Sequence, residues 1–512
     1  MGVQGLTSFI KANKDRMITG YHLHDTYLVI DGNNFLYRLY ENSNNQTKDN
    51  IYGGNYSRFA GNVHRFFTTL AKCRIRPVVV MDGGIDPSDQ KIVKLLKKFT
   101  KNLRHAIDIS NGNHFDGNID IHPTLCRPVL EQMMDQLGVA YCQILYEADT
   151  YAAALANQLN CPILSGDSDF FVYNIIGGVI LSDYLMNSMQ VRQYEDQNNW
   201  RNRETYKYLD TKLYTIDNFV KCFPGLTSDC LPVFSTLMGN DYIEYDNIRP
   251  IVDTIPDVNN GQRNNRINIS ERHQQMIKIL NWLRGLTRQQ VIDYIESVLI
   301  EKSMNNVIEL LKISIESYNI DNCSDGISYD RATNSFNWSK LAAHVMQKVL
   351  AFPQWFAIDM CKSRLNPMLI NVSQAKRVFL SPRVEDLSLP STYKCCWRLR
   401  QYLIGLMRED NDNDVKTVEV YDRYESEYKV LSMQSITVLT NNSGHQLPQL
   451  NQIINLTINE KTNLISEMLF DDKNVVKFMI KNTIKISDLQ NQEGVYLMIV
   501  IRYWLGNTPN MV

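Results

Sequence analysis

The sequence predicts an α/β protein whose parallel-sheet core is followed by mainly helical regions. In the N-terminal half, short apolar runs alternate with helical patterns, which favours a parallel sheet with right-handed crossovers. From Glu271 onward, successive segments carry the apolar periodicity of helices. The chain has 512 residues, of which 44% are hydrophobic and 21% charged, as is typical of a globular protein with two or three domains.

Acidic residues follow the apolar segments of the predicted core. The segments and the acids are, in chain order, Tyr27–Ile30 with Asp31, Pro77–Met81 with Asp82, Val139–Leu145 with Glu147 and Asp149, Cys161–Leu164 with Asp167 and Asp169, and Leu231–Gly239 with Asp241. An acid after a strand is often only a turn or helix-cap residue. The repetition favours a site instead, because sites in parallel sheets form beyond the carboxyl ends of the strands.

Seven converging carboxylates predict a site for metal ions. They repel one another unless positive charge lies between them, and no Arg or Lys is adjacent to them in the sequence. Oxygen ligands without His or Cys suit Mg²⁺ or Mn²⁺. More acids than one ion needs indicate two ions roughly 4 Å apart, which clamp the attacking and leaving oxygens of a phosphodiester. All seven acids are therefore predicted metal ligands and catalytic residues.

A long basic helix is predicted from Ser88 to Ser110, with Ser88 as its N-cap and Asp89 in the first turn. One face is apolar, and the other carries Lys91, Lys94, Lys97, Lys98, Lys101 and Arg104. A solvated helix face usually mixes the two signs of charge. A stripe of one sign favours contact with a phosphate backbone.

These motifs together resemble a known superfamily. MGVQGL, LVIDG, VVVMDGG, the EAD block with its helix, SGDSDF and MGNDY occur in the order found in flap endonucleases and XPG-type nucleases, which have a PIN-like fold. The double glycine of MDGG, the compact acidic blocks and the PQW segment at Pro353–Trp355 resemble the Asteroid branch. The superfamily resemblance covers roughly Met1 to Tyr242, and the Asteroid-like similarity runs more thinly to the end.

The resemblance assigns roles to individual residues. It implies that the seven acids bind metal and that Lys91 and Lys98 act on the scissile phosphate, although which basic residue does so stays open because the spacing differs. It implies that Gly2 lies close to the active site. It also implies that Tyr37 stacks on a base, with packing in the core as the alternative reading.

One segment departs from the superfamily pattern. Flap endonucleases follow their last acid with a glycine-rich helical hairpin that grips duplex DNA, whereas Ile243–Ser270 is polar and contains only Gly261. Duplex anchoring by that route is not expected here. The 5′ or 3′ polarity and the choice between endonucleolytic and exonucleolytic cleavage stay open.

The predicted domains are a PIN-like nuclease core at 1–245, a helical domain at 246–352 and a mainly helical C-terminal region at 353–512. Met186–Arg203 is predicted to be a surface loop, Val258–Asn268 and Asp321–Ser335 linkers, and Val415–Met433 an amphipathic segment. The regions beyond the core are expected to pack and to bind protein partners, without a chemical role. Trp397, Arg398 and Arg400 are either nucleic-acid contacts or a buried aromatic with two surface charges.

The predicted function is a structure-selective nuclease that uses two Mg²⁺ ions, with Mn²⁺ as an alternative, and cuts DNA at single-stranded regions, overhangs or flaps. The alternatives are an RNase of the same fold and a catalytically silent scaffold, although a silent protein is expected to have lost some of the acids. The ten cysteines lack zinc spacing and no apolar signal core begins the chain, which suits an intracellular, membrane-free protein. Nuclear residence and a role in DNA repair are implied by the resemblance alone.

Overall fold

The structure, a computed structural model, describes residues 2–44, 53–88, 91–113, 121–195, 205–256, 270–348, 354–394, 400, 417–424 and 427–434. The chain forms two compact units. The first takes residues 1–84, 88–94 and 122–367, and the second takes residues 85–87, 95–121 and 368–512. The predicted domain boundaries after residues 245 and 352 do not coincide with these divisions and stay a prediction.

The first unit is built on an eight-stranded sheet. Its strands are β1 (Ile18–Leu23), β2 (Tyr27–Asp31), β3 (Arg76–Met81), β4 (Ala140–Gln143), β5 (Ile163–Ser165), β6 (Val179–Leu181), β7 (Val191–Glu195) and β8 (Thr205–Tyr214). The spatial order is β1-β8-β6-β5-β2-β3-β4, and β7 pairs with β8. Strands β2 to β6 pair in parallel, whereas β8 runs antiparallel to its neighbours β1, β6 and β7. The predicted α/β class with a mainly parallel sheet is confirmed.

Helices lie before and between these strands in chain order and continue after them. They are α1 (Leu6–Ala12), α2 (Lys14–Met17), α3 (Gly32–Asn44), α4 (Tyr56–Lys72), α5 (Ile92–Ser110), α6 (Cys126–Leu137), α7 (Asp149–Gln158), α8 (Ser182–Asn187), α9 (Ile216–Lys221), α10 (Leu231–Met238), α11 (Tyr245–Val252), α12 (Glu271–Trp282), α13 (Arg288–Glu301), α14 (Asn305–Glu316), α15 (Asp321–Ser324), α16 (Trp338–Lys348) and α17 (Gln354–Cys361). A two-stranded ribbon of β9 (Tyr329–Asp330) and β10 (Ser335–Phe336) precedes α16.

The core explains why the central strands read as continuous apolar runs. Strand β2 is buried along its whole length, as expected for a central parallel strand covered on both faces. Leu28 and Ile30 pack in one cluster with side chains of α3, α4 and α6, including Phe35 and Phe66. Helix α7 is alanine-rich and buried from Tyr151 to Ala156, so it can lie close to the sheet. This packing fixes the strand ends from which the acids project.

Three local predictions are corrected by the structure. The basic helix begins at Ile92 rather than Ser88, and Ser88 lies in a turn. Part of the predicted loop at Met186–Arg203 is strand β7, whose pairing with β8 the polar composition concealed. The predicted linker Asp321–Ser335 contains α15 and the β9–β10 ribbon. Asp89, Pro353, Trp397, Arg398, Val258–Asn268 and Leu447–Val500 lie outside the described residues.

The second unit contains a small sheet where the sequence predicted a mainly helical region. A short helix, α18 (Met368–Ile370), precedes β11 (Arg377–Phe379), which pairs in parallel with β12 (Thr417–Tyr424), and β12 pairs antiparallel with β13 (Glu427–Gln434). The amphipathic segment Val415–Met433 is therefore strand over its described residues. Val418 and Val420 are buried while Glu419 is exposed, which is the two-residue period of a strand. No helix in the described ranges is long and apolar enough to span a membrane.

Candidate active site

The seven acids occupy the sheet edge that the sequence predicted. Asp31 ends β2, Asp82 directly follows β3, Glu147 lies in the loop after β4, and Asp149 begins α7. Asp167 follows β5, Asp169 lies in the single 3₁₀ turn Ser168–Phe171, and Asp241 follows α10. Because β2, β3, β4 and β5 pair in parallel, their carboxyl ends share one edge.

Short side chains tie the acid-bearing loops together. The Ser165 hydroxyl donates to Asp31 over 2.7 Å and accepts from the Asp167 backbone N–H over 2.9 Å. The Asn33 amide donates to Asp82 over 2.6 Å, and the Asn34 amide oxygen accepts from the Gly166 N–H over 2.9 Å. The first turn of α3 thus links the ends of β3 and β5. These bonds hold the loops close although like charges on them repel.

Gly83 allows the loop after β3 to approach the loop after β4. A Cβ at this position would lie 2.0 Å from the Ile144 carbonyl oxygen and 2.2 Å from that of Leu145. The Gly83 N–H donates to the Tyr146 carbonyl over 2.7 Å, so the two backbones are in direct contact. The Ala148 N–H in turn donates to Asp82 over 2.8 Å. The glycine of the MDGG motif is needed to bring Asp82 beside the EAD block.

Burial and mutual repulsion raise the pKa of several of these acids. Burial, followed by the charge of Asp82, raises the pKa of Asp31 to about 7. Burial, opposed by the bond from Ala148 and reinforced by Glu147, raises the pKa of Asp82 to about 6. Burial and Asp167 raise the pKa of Asp169 to about 6. The pKa of Asp149 is raised well above its ordinary value by burial and then by Asp167, Asp31, Asp82 and Glu147, so these carboxylates share one electrostatic environment.

Two lysines from the basic segment contact the acids. Lys91 pairs with Glu147, and Lys94 pairs with Asp241. Burial alone would lower the pKa of Lys91, but Glu147 raises it above its ordinary value, whereas burial lowers the pKa of Lys94. The Lys91 ammonium also lies 4.4 Å from the centre of the Tyr242 ring. Both lysines therefore place positive charge beside the carboxylates.

The N-terminal segment lies against the same cluster. The Gly2 N–H donates to Asp241 over 2.9 Å. Gly2 has a left-handed φ of +76°, and a Cβ there would lie 2.5 Å from an Asp167 oxygen and 2.6 Å from the Ser168 hydroxyl. The predicted location of Gly2 close to the acids agrees with this geometry.

The residues beyond the core also reach the cluster. The Tyr318 hydroxyl, just past the end of α14, donates to Asp169 over 2.6 Å inside the protein. A residue beyond the core thus contacts one of the acids, and the expectation that these regions have no chemical role of their own stays a prediction. No signal in the sequence links a tyrosine to an acid 149 positions earlier.

The seven carboxylates are ligands of the kind that hard divalent cations prefer. Repulsion from neighbouring acids adds to burial in raising the pKa of Asp31, Asp149 and Asp169, so positive charge among them would be favourable. Among the described residues there is no group of three or more carboxylate, histidine or cysteine side chains already arranged to hold one ion. The assignment of the seven acids as metal ligands stays a prediction.

Comparison with known sequences agrees with these motifs. A model of the XPG N-terminal domain matches residues 1–104, and a model described as XPG domain containing matches residues 122–215. The single-strand DNA endonuclease ASTE1 of Homo sapiens is 30% identical over 414 residues, which are 80% of this chain and 56% of that protein. Protein asteroid of Drosophila melanogaster is 27% identical over 363 residues, 63% of this chain and 41% of that protein.

The chain is similar to Asteroid proteins over most of its length. This confirms the branch of the flap endonuclease and XPG superfamily that the motifs indicated. The Danio rerio protein named single-strand DNA endonuclease ASTE1 is 29% identical over 516 residues, covering 99% of this chain and 68% of that protein. The chain spans only 56% of the length of the human Asteroid protein.

Two solved structures resemble this chain weakly. The catalytic core of Rad2 in complex with DNA substrate has a TM-score of 0.33 at 14% identity, covering 70% of this chain and 98% of that one. Human GEN1 in complex with Holliday junction DNA has a TM-score of 0.35 at 13% identity, covering 84% of this chain and 86% of that one. Likenesses at this level say nothing about the substrate.

The roles of the other predicted site residues stay predictions. Lys98, Lys97, Lys101 and Arg104 belong to the second compact unit, because the division falls between Lys94 and Leu95. Tyr37 is 37% exposed, and its role stays open between base stacking and packing. Its ring centre lies 4.3 Å from that of His122. Sequence reasoning missed Asn33 and Asn34 in the first turn of α3 and Ser165 at the end of β5, because no pattern distinguishes them from ordinary polar residues.

Proposed function

We propose that this chain is a metal-dependent nuclease that hydrolyses DNA phosphodiesters at single-stranded regions, overhangs or flaps. The observation that supports this most is the cluster of acids at one sheet edge, with raised pKa values and two lysines beside it. A cluster of this kind is costly unless cations occupy it. The relatives named single-strand DNA endonuclease support DNA as the substrate.

In this proposal the seven acids hold Mg²⁺ or Mn²⁺. Bound divalent ions would supply Lewis-acid activation of the attacking water and neutralise charge on the leaving oxygen. The chain's own contribution is positional. Asn33, Ser165 and the Ala148 N–H fix the orientation of Asp82 and Asp31, and Lys91 and Lys94 place positive charge where a phosphodiester gains negative charge during cleavage.

The test is digestion of end-labelled DNA by the purified chain. Matched single strands, overhangs, flaps and hairpins are compared with Mg²⁺, with Mn²⁺ and with EDTA, and the labels report polarity and endonucleolytic cleavage. Asp31→Asn should abolish cleavage, whereas Asp183→Asn, which alters a carboxylate paired with Lys11 outside the cluster, should not. Absence of metal-dependent cleavage of any substrate would refute the proposal.

An RNA arm distinguishes the alternative substrate. The charges of Lys91 and Lys94 would interact with phosphate groups, which DNA and RNA share, so they do not separate the two substrates. Faster cleavage of matched RNA strands than of DNA strands would replace DNA by RNA in the proposal. A chain that binds nucleic acid without cutting it would support the silent-scaffold alternative instead.

We also propose nuclear residence and a role in DNA repair, which similarity to Asteroid proteins alone supports. Imaging of the tagged chain in cells tests the first. Survival of cells lacking the protein after DNA damage, with and without the Asp31→Asn variant, tests the second. Cytoplasmic location or normal survival would overturn the respective proposal.

A further inference from the structure

We propose that Tyr318 is a positioning residue for Asp169, so that the helical region after residue 245 sets the geometry of the metal-binding cluster. The inference rests on the proposed function, because it assigns Tyr318 a role toward ions that Asp169 would bind. It concerns a residue outside every motif that identified the site.

The contact is buried and short. The Tyr318 hydroxyl lies 2.6 Å from an Asp169 oxygen, and Tyr318 and Asp169 are 7% and 9% exposed. Water therefore competes poorly for either group, and a buried hydrogen bond to a charged acceptor is stronger than an exposed one. The bond engages one of the two Asp169 oxygens.

The neighbouring hydroxyl groups fix the direction of this bond. Each hydroxyl has one proton to donate. Because Tyr318 gives its proton to Asp169, the Ser235 hydroxyl, 2.7 Å from the Tyr318 oxygen, must donate to Tyr318. Asp169 is held as an acceptor, which is the form that a metal ligand requires.

A second branch joins the same helix to the last acidic motif. The Asn240 amide donates to Ser314 over 2.7 Å, and the Ser314 hydroxyl lies 2.7 Å from that of Thr236. Thr236 donates to the Pro232 carbonyl over 2.9 Å, so Ser314 must donate to Thr236. Asn240 also accepts from the Tyr242 N–H over 3.1 Å, which braces the turn that carries Asp241.

The two branches start from one helical face. Ser314 and Tyr318 are four positions apart, and side chains at that spacing lie one above the other on a helix. Tyr318, two residues beyond the end of α14, contacts Asp169 directly. Ser314 on α14 accepts from Asn240, the neighbour of Asp241. Residues that orient metal ligands in this way usually change metal affinity when they are substituted.

The experiment measures Mn²⁺ binding to the full chain by electron paramagnetic resonance, which does not depend on cleavage. Tyr318→Phe removes only the hydroxyl and should weaken Mn²⁺ binding about tenfold. Tyr173→Phe is the matched control, because its hydroxyl is also buried and its ring centre lies 5.2 Å from that of Tyr318, but it bonds to Thr150 and the Ser317 carbonyl rather than to an acid. Binding by this control should match the unsubstituted chain.

Cleavage gives a second measurement. For Tyr318→Phe, the Mg²⁺ concentration that gives half-maximal cleavage should rise about tenfold, while kcat at saturating Mg²⁺ should approach that of the unsubstituted chain. If Tyr318→Phe fails to fold by circular dichroism, Ser235→Ala replaces it. That variant removes the donor to Tyr318, and should weaken Mn²⁺ binding in the same direction but less.

The outcomes separate this inference from the proposed function. If the unsubstituted chain binds Mn²⁺ and cuts DNA, but Tyr318→Phe binds Mn²⁺ equally well, this inference alone fails. Equal weakening by Tyr318→Phe and Tyr173→Phe also overturns it, because the effect would then be structural. An unsubstituted chain that binds no Mn²⁺ overturns the proposed function and the inference together.

Discussion

Substitution of Asp169 by asparagine should stabilise the metal-free protein at pH 8. The pKa of Asp169 is raised from 3.8 to about 6 in the folded chain, first by burial and then by Asp167. A difference of about 2 pKa units corresponds to roughly 3 kcal/mol of folding free energy lost when the carboxylate ionises. Asparagine has no charge to bury, and its amide oxygen can still accept from Tyr318. The substitution should therefore recover most of that free energy.

The sign of the pH dependence follows from the direction of the shift. Because the folded pKa is raised, the stabilising contribution is fully present below the unfolded pKa and is lost as pH rises through about 6. At pH 5, one unit below the folded pKa, the unsubstituted chain has recovered about 1.4 kcal/mol. The advantage of Asp169→Asn should therefore fall to about half between pH 8 and pH 5.

Thermal unfolding in EDTA measures this effect. At pH 8 the variant should melt roughly 5 °C higher, given about 2 °C per kcal/mol for a unit of this size. Asp183→Asn is the control and should lower the melting temperature, because pairing with Lys11 holds the pKa of Asp183 below its ordinary value despite burial. A lower melting temperature for Asp169→Asn than for the unsubstituted chain at pH 8 would refute the view that the acids strain the fold.

Three more expectations concern the site. Lys94→Ala should lower kcat about 10²- to 10³-fold in the cleavage assay, because it removes positive charge beside Asp241. Lys101→Ala should leave kcat intact and reduce the salt slope of DNA binding by about 1, and equal effects of the two variants would contradict this difference. Gly2→Ala should lower cleavage about 10²-fold, because its Cβ would displace Asp167. Gly5→Ala shares a left-handed φ but would meet only the side chains of Arg272 at 3.2 Å and Met276 at 3.4 Å, so it should retain most of the activity, and similar losses in both variants would count against a contact effect. Mn²⁺ affinity should fall as pH drops from 8 to 6, since the raised pKa values of the acids allow protons to compete, and a flat profile by paramagnetic resonance would exclude that competition.

The elements that could be predicted have a strong hydrophobic periodicity or an acidic residue that marks their end. Strands β2 and β3 are continuous apolar runs ended by acids, and their parallel pairing places Asp31 and Asp82 at one edge. Strand β7 escaped prediction because it lies at an exposed edge, where no burial selects apolar residues. Strand β12 does carry the two-residue alternation of a half-buried strand, but it is predicted only as an amphipathic segment within a mainly helical region.

The site could be predicted for its charged groups but not for the groups that hold them. The acids are recognisable because they follow strand ends. Ser165 and Asn34 are not, because single polar residues at the end of a strand or the start of a helix are common and only their contacts give them a role. Tyr318 was beyond reach for a further reason, since its partner is distant in the sequence and no local pattern records a tertiary hydrogen bond.

The large sequence separation between Tyr318 and Asp169 has a consequence for biosynthesis. A ribosome translates all the acidic motifs well before it reaches the tyrosine, so the nascent polypeptide carries every charged group of the centre while the hydroxyl that orients one of them has yet to be added. Premature termination between codons 242 and 317 would yield a fragment with the complete set of carboxylates. In that fragment Asp169 would lack the hydroxyl group that orients it. Completion of the centre is in this sense a late event in the life of the chain.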